Sequence, residues 1–245
     1  MQNLIEIHVI TYNEEIMLPF TITHYRKMFD NPKFIIHDNG STDDTLMLAK
    51  LAGCEIIPFI TEGMNDTIQS KIKSEAAMNA KSKWVLCIDC DEECMINSKD
   101  LTELESRGIN VVEFQGWDIF DNQDSPSKAA LNPRGCQSPG YSKPVLLRTG
   151  CFSLIEFGEG AHRINQLVAN TESKISWSNK EFNLFHYKHW SPIWHLNRSH
   201  ELGKRQSTEN IQRGHSTHFA LPDTVHTDWF NTHYALSDYI KDSHI

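Results

Sequence analysis

The run Trp84 to Glu93, WVLCIDCDEE, constrains this chain more than any other stretch. Five mostly apolar residues lead straight into Asp89, Cys90, Asp91, Glu92 and Glu93. The apolar part drives the segment into a buried strand. Carboxylates gathered at the strand's end then repel one another unless protons or a divalent cation neutralise them. The competing reading of the acidic part is a solvated turn. Cys87, Cys90 and Cys94 have half of the spacing of a zinc site, but Cys87 and Cys90 differ by an odd number of positions. On a continuing strand they face opposite sides, so they read as structural thiols.

A chain of 245 residues can bury one large core, and nothing in the sequence marks a second full domain. The formal net charge of −9 argues against a broad grip on nucleic-acid phosphates, so no nucleic-acid partner is expected. The six cysteines are not spaced as a secreted disulfide framework. MQNLIEIHVI has no basic segment leading into a long apolar one, and no apolar run approaches the ~20 residues of a membrane span. These features predict a cytoplasmic protein without a transmembrane segment, able to meet a membrane-borne acceptor from the surface.

Along the chain, LIEIHVIT (4–11), KFIIHD (33–38), residues 55–60 and residues 84–89 read as strands. Helical patterns separate them: one ends near Phe29, the second is TLMLAKLAG, and the third covers about 67–81. Repeated strand–helix units imply a parallel, doubly covered sheet with ligands at the carboxyl ends of its strands. That topology brings Thr11–Glu15, Asp38–Asp43 and Asp89–Glu93 to one rim, although each loop by itself reads as helix capping. Beyond strand four, 99–107 reads as a short helix and 110–120 as one strand. Residues 121–142 read as a long polar loop, mobile and used in acceptor recognition. Strands at 143–148 and 152–157 suggest a hairpin around Thr149-Gly150. A further strand covers 182–187, one helix covers 192–212, and the tail shows no clear period.

In order, Thr11-Tyr12-Asn13-Glu14-Glu15, His37 to Thr45 (HDNGSTDDT) and Asp89-Cys90-Asp91-Glu92 closely resemble the family 2 glycosyltransferases. The resemblance is good over residues 4–93 and thin afterwards. It implies an α/β GT-A fold, a Rossmann-like, mostly parallel central sheet with helices on both faces. Residues 1–190 form the glycosyltransferase domain, with 1–95 the nucleotide-sugar half and 96–190 the acceptor half. Residues 191–245 form a C-terminal helical extension packed on the same domain.

What the resemblance implies for function is transfer of a sugar from a nucleoside-diphosphate sugar, a UDP-sugar first, to a glycan hydroxyl. It implies Mn²⁺ or Mg²⁺ and inversion at the anomeric carbon. The donor nucleoside points to Thr11, Asn13, Glu15 and Asp38, with Lys73, or Lys71 as its competitor, offered from the helix before strand four. Asp91 is the expected direct metal ligand and Asp89 a contact to ribose or to a metal-bound water. His186 is expected to complete the coordination, with His162 as its alternative, and Lys188 to cover a phosphate. Glu159, in FGEGAHR, is the expected base, because flanking glycines let a ligand approach and His162 and Arg163 can tune it; Asp118 and Asp121 are its rivals. Two other readings stay open: a protein or nucleobase acceptor in a viral modification system, and a noncatalytic nucleotide-sugar-binding module. The intact Asp89 and Asp91 count against the second. A nucleotidyltransferase would carry a Gly-rich phosphate loop after strand one, which Tyr12-Asn13-Glu14-Glu15 is not.

Overall fold

The coordinates are a computed structural model, and the described residues are 3–241. The chain opens with β1 (Ile5–Thr11), α1 (Met17–Met28), β2 (Lys33–Asp38), α2 (Thr45–Leu51), β3 (Glu55–Pro58), α3 (Asp66–Asn79) and β4 (Trp84–Asp89). It continues through β5 (Glu92–Cys94), α4 (Ser98–Ser106), β6 (Val111–Val112), β7 (Phe114–Phe120), α5 (Pro126–Ala129), β8 (Arg134–Gln137) and β9 (Leu146–Arg148). Then come β10 (Phe152–Phe157), β11 (Ile164–Ala169), β12 (Phe182–His189), α6 (Pro192–Lys204), α7 (Thr208–Arg213), α8 (Asp223–Leu236) and β13 (Asp238–Tyr239).

The central sheet has the order β3-β2-β1-β4-β9-β6, in which β3, β2, β1 and β4 run parallel and β9 and β6 add antiparallel pairings. β1 is buried along its whole length, so both its faces are covered. The thiols show which helices cover them: Cys87 donates to the Lys73 carbonyl of α3 at 3.5 Å, whereas Cys90 lies 3.9 Å from Thr21 Oγ1 of α1. Pairing of Ile10 with both His37 and Asp89 aligns the three carboxyl ends on one rim. The mixed α/β architecture with a mostly parallel central sheet is therefore present.

A second sheet, β13-β8-β7-β12-β5, stands beside the first, and β5 follows β4 after a two-residue turn. Here the sequence expectations need correction. Residues 110–120 are two strands, because Glu113, bridged to Lys180 at 3.6 Å, marks where the chain leaves the first sheet for the second. The stretch 121–142 is not one loop: it holds α5 and β8, and β8 is paired on both sides by β7 and β13. No hairpin forms at Thr149-Gly150, since β9 pairs with β4 and β6 while β10 pairs with β11. The helix expected over 192–212 breaks after Lys204, and Ser207 caps a new helix by accepting from the Asn210 amide.

That break has a structural purpose. Met64 bonds to both sides of it, its N–H donating to the Arg205 carbonyl at 2.5 Å and its carbonyl accepting from the Ser207 amide at 3.1 Å. Gly63, at φ 67°, allows the approach, because a Cβ there would stand 2.1 Å from the Arg205 oxygen. Glu209 and Asn210 of α7 then hold the start of α3 through Asn65, Thr67 and the Asp66 amide. Among the described residues no helix is long and apolar enough to cross a membrane.

On the α3 side of the sheet, His8 Nδ1 and His37 Nε2 lie 2.9 Å apart with their rings stacked. Burial, reinforced by Lys33 for His8 and by His8 for His37, pushes both from 6.5 down to about 4. The unfolded chain protonates these imidazoles below about pH 6.5 while the folded one resists, so their contribution is full above pH 6.5 and lost as pH falls towards 4. Each adds up to about 1.4 kcal/mol per pH unit to that slope. Urea unfolding at stepped pH should give a line flatter by nearly two protons in His8→Gln/His37→Gln than in the parent. Equal slopes would contradict this account.

Candidate active site

The rim of β1 and β4 opens into a cavity of about 310 Å³ whose lining includes Thr11, Tyr12, Glu14, Asp66, Asp89, Asp91, Tyr141, Lys143, Glu159, His162, His186, Lys188, Arg198 and Arg205. The sheet therefore delivers Thr11 and both aspartates of Asp-Cys-Asp to one place, and the second sheet brings His186 and Lys188 to them.

The acidic cluster is sorted by depth. Asp89, at the end of β4, accepts from Lys73 Nζ at 2.7 Å and lies 3.5 Å from Lys143 Nζ. Glu92 turns inward on β5, where it takes the Lys143 ammonium and accepts from the Asp89 amide at 3.1 Å. Burial by itself would raise the Asp89 pKa, yet Lys73 and Lys143 hold it below the usual carboxylate range. Glu93 faces away, 3.4 Å from His24, and burial pushes its carboxyl well up. Of the five-residue run, only Asp89, Cys90 and Asp91 reach the cavity.

Asp91 meets the second sheet. The antiparallel register sets His186 opposite Glu92, and the parallel register sets it beside Asp118. His186 Nδ1 lies 2.7 Å from Asp118 Oδ1, and its Nε2 lies 3.5 Å from Asp91 Oδ2, so one imidazole bridges two carboxylates. Burial works against charge here, but Asp91 and then Asp118 raise His186 to about 9. Likewise burial opposes ionisation of Asp91, and His186, Arg198 and Lys188 overcome it and hold the carboxyl well below its ordinary value. Tyr141 stacks on His186 with centroids 3.8 Å apart and meets His162 edge-on at 5.1 Å. Burial, helped by Lys143, takes His162 down to about 3, so it is a neutral imidazole.

The metal ligands expected from sequence are not brought together as a set. Among the described residues the one group of three potential ligands within 4.8 Å is Asp118, His186 and His189. Asp91 touches it through the other nitrogen of His186. Asp89 and His162 stand outside it, Asp89 because two lysines occupy its oxygens.

The nucleoside residues divide in the same way. Asp38 is buried and accepts from the Gly40 and Ser41 amides at 3.0 Å each and from the Thr11 hydroxyl at 3.3 Å. Asn13, at φ 52°, accepts from the Thr42 amide at 2.8 Å, and Glu15 accepts from the Asp44 amide at 3.1 Å. Asn13, Glu15 and Asp38 thus tie the first two rim loops together, and they do not line the cavity, whereas Thr11 does. Lys73 is buried beneath Asp89 rather than facing the cavity.

Of the three candidate bases, Glu159 alone lines the cavity, on the turn after β10, with its oxygens 3.5 Å from Arg163 and 3.8 Å from Arg213. Asp118 is committed to His186, and Asp121 accepts from the next amide in its own turn at 2.7 Å, away from the cavity.

Sequence reading found Lys188, which lines the cavity, and missed the rest of its cationic wall, Lys143, Arg198 and Arg205. Arg198 on α6 holds Glu14 and, at 3.1 Å, Glu201; burial opposes its charge and Glu14 with Asp91 restores it. Lys188 Nζ stands 3.7 Å from the Phe219 ring centroid and Arg205 3.1 Å from that of Tyr12; among the described residues neither makes an ion pair. Burial lowers Lys188 to about 8. Two signals were available: a lysine beginning the apolar run KPVLL, and arginines two helical turns apart at 198 and 205.

Comparison with known proteins bears on this site. The family model "Glycosyl transferase family 2" matches residues 6–114. An uncharacterized glycosyltransferase of Rickettsia typhi (strain ATCC VR-144 / Wilmington), RT0209, is 32% identical over 215 residues, covering 84% of this chain and 68% of the relative. A second uncharacterized glycosyltransferase, RP128 of Rickettsia prowazekii (strain Madrid E), is 24% identical over 213 residues, with the same two coverages. Among solved structures, S. aureus TarS matches with a TM-score of 0.48 and 16% identity over 96% of this chain; the chain spans 43% of that protein.

The buried lysine gives a direct test. Lys143→Met leaves Glu92 charged and unpaired in the interior, which should cost about 3–5 kcal/mol in urea unfolding. Adding Glu92→Gln should recover much of that loss. A single variant as stable as the parent would show that the ion pair does not hold this corner.

Proposed function

The chain belongs to glycosyltransferase family 2, and from that premise we propose that it moves a sugar from a nucleoside-diphosphate sugar, UDP-linked first, to a glycan hydroxyl, with a divalent metal and with inversion. The observation that carries the reading is the facing of Asp91 Oδ2 and His186 Nε2 across the cavity at 3.5 Å, with Lys188 and Arg205 on the same wall.

These residues fit a divalent ion. A carboxylate oxygen and an imidazole nitrogen suit Mn²⁺ or Mg²⁺, and neighbouring ligands on such an ion stand ~3 Å apart, so a small closure suffices. Asp91 and His186 would hold the ion, the imidazole giving up its Nε2 proton to solvent in exchange, with Asp118 fixing the ring through Nδ1. When bound, the ion offsets the negative charge that grows on the departing nucleoside diphosphate. The chain adds its own cations: Lys188 and Arg205 rest on aromatic faces instead of carboxylates, so an arriving diphosphate does not have to break an ion pair to recruit them. Asp89, held by Lys73 and Lys143, presents a fixed edge to a ribose hydroxyl. Thr11 and Tyr12 continue the cavity towards the nucleoside loops.

Glu159 is the group proposed to take the proton of the acceptor hydroxyl. Its oxygens are only loosely matched, at 3.5 and 3.8 Å, and so keep capacity to accept a bond. The Gly158 and Gly160 flanks let the acceptor approach the backbone closely.

Asp91→Ala should abolish Mn²⁺-supported UDP binding in titration calorimetry while the protein stays folded. Unchanged metal-dependent affinity would remove Asp91 from the metal site. Glu159→Gln should keep donor binding and lower turnover by ~10²- to 10⁴-fold, the range of general base catalysis. A loss below about tenfold, outside that range, would dismiss Glu159 as the base.

A further inference from the structure

A second cavity, a groove of about 420 Å³, lies between α3 and the β10–β11 hairpin, and Glu159 lines both it and the cavity of the candidate active site. The groove is built, not incidental. Ser70 Oγ donates to the Gly158 carbonyl at 2.9 Å, and the Phe157 amide donates to Ser74 Oγ at 2.9 Å, so α3 and the hairpin are clamped at the point where the two cavities meet. The groove follows α3 from Thr67 to Asn79, a length of roughly 18 Å at the helical rise.

Its chemistry selects an occupant. Thr67, whose hydroxyl donates to Glu209, offers an acceptor oxygen; Asn79 and Asn165 offer amides bonded at one end, to the Glu75 carbonyl and to Arg163; and Met78 and Leu154 supply apolar patches. Neutral hydrogen-bonding groups interleaved with C–H surface match a sugar chain, whose rings carry hydroxyl edges and apolar faces. The charges argue the same way. Lys71 is the one cation of the lining and is already 3.8 Å from Glu75, while Glu156 and Glu159 add negative charge. A phosphorylated polymer or a diphosphate-linked acceptor would be repelled along its length. The donor cavity differs in carrying four cations, Lys143, Lys188, Arg198 and Arg205, among its five carboxylates.

We propose that this groove is an acceptor subsite that holds the distal units of a neutral oligosaccharide while the terminal hydroxyl reaches Glu159. The inference rests on the glycosyl-transfer reading above and adds the class and the direction of the acceptor. After each transfer the new unit lies on the donor side of Glu159, so the product must shift one unit along α3 before its new terminal hydroxyl can react.

The test measures UDP release from UDP-glucose, UDP-galactose and UDP-N-acetylglucosamine with Mn²⁺. Acceptors are neutral malto-, chito- and β-gluco-oligosaccharides of increasing length, and glycerol-phosphate oligomers of matched length. Transfer to a neutral series is expected, with kcat/KM at least tenfold higher for a pentasaccharide than for a disaccharide. Met78→Trp and, separately, Lys71→Trp fill the groove from exposed positions on α3; each should erase that gain and leave donor affinity and disaccharide turnover within twofold of the parent. Length-independent transfer, a preference for the glycerol-phosphate oligomers, or a gain untouched by both tryptophans would overturn the subsite. So would slow UDP-sugar hydrolysis without transfer to any neutral series. Failure of every UDP-sugar to bind with Mn²⁺ would strike the donor reading instead and take the groove inference with it.

Discussion

The neutralisation of the buried carboxylates at the end of β4 is the constraint on which the rest of this molecule depends. Asp89 and Glu92 sit where the first sheet hands over to the second, and two buried ammonium groups, Lys73 and Lys143, hold them there. One lysine comes from α3 and the other from the segment leading into β9, so the same ion pairs that make the charges tolerable also fix a helix and a strand against the rim. Unpaired, the fully buried Glu92 would cost several kcal/mol, and Asp89, a third of whose side chain is open to the cavity, less. Paired, they let Asp91 project into the cavity at the next turn.

The second sheet supplies what the first cannot. Its parallel pair β7 and β12 sets Asp118 beside His186, and the imidazole reaches Asp91 with its other nitrogen. The proposed metal ligands therefore meet where the first sheet hands over to the second: His186 is placed by the β7–β12 register, and Asp91 by the two-residue turn between β4 and β5. The C-terminal segments complete the enclosure. The backbone bonds of Met64 to Arg205 and Ser207, and the contacts of Glu209 and Asn210 with the start of α3, fix the segment that carries Arg198 and Arg205 at the cavity.

The first four strands and their helices were legible because each is a local pattern: apolar runs of strand length, helices with caps, and acidic or hydroxyl residues at the joints. The second half was read less well for identifiable reasons. Val111–Val112 and Phe114–Phe120 look like one strand, since nothing local tells a chain that it changes sheets at Glu113. Arg134–Gln137 is short and lies among prolines and glycines, yet it is paired on both sides. The break after Lys204 follows from a backbone contact with Met64, more than a hundred residues earlier.

By itself the sequence determined the α/β order, the shared rim of Thr11, Asp89 and Asp91, and a family resemblance, because these depend on periodicity and on motifs whose residues are neighbours in the chain. Tertiary structure decided what those residues do. It turned Asn13, Glu15 and Asp38 into ties between loops, because backbone amides two to twenty-nine residues away claim their oxygens first. It brought Glu159 to the cavity, left Asp121 outside it and bound Asp118 to His186, although all three are carboxylates of the less recognisable stretch after β5. Burial and pairing are properties of distant segments meeting, and no local pattern encodes which carboxylate finds a lysine, which finds an imidazole and which stays open to a ligand.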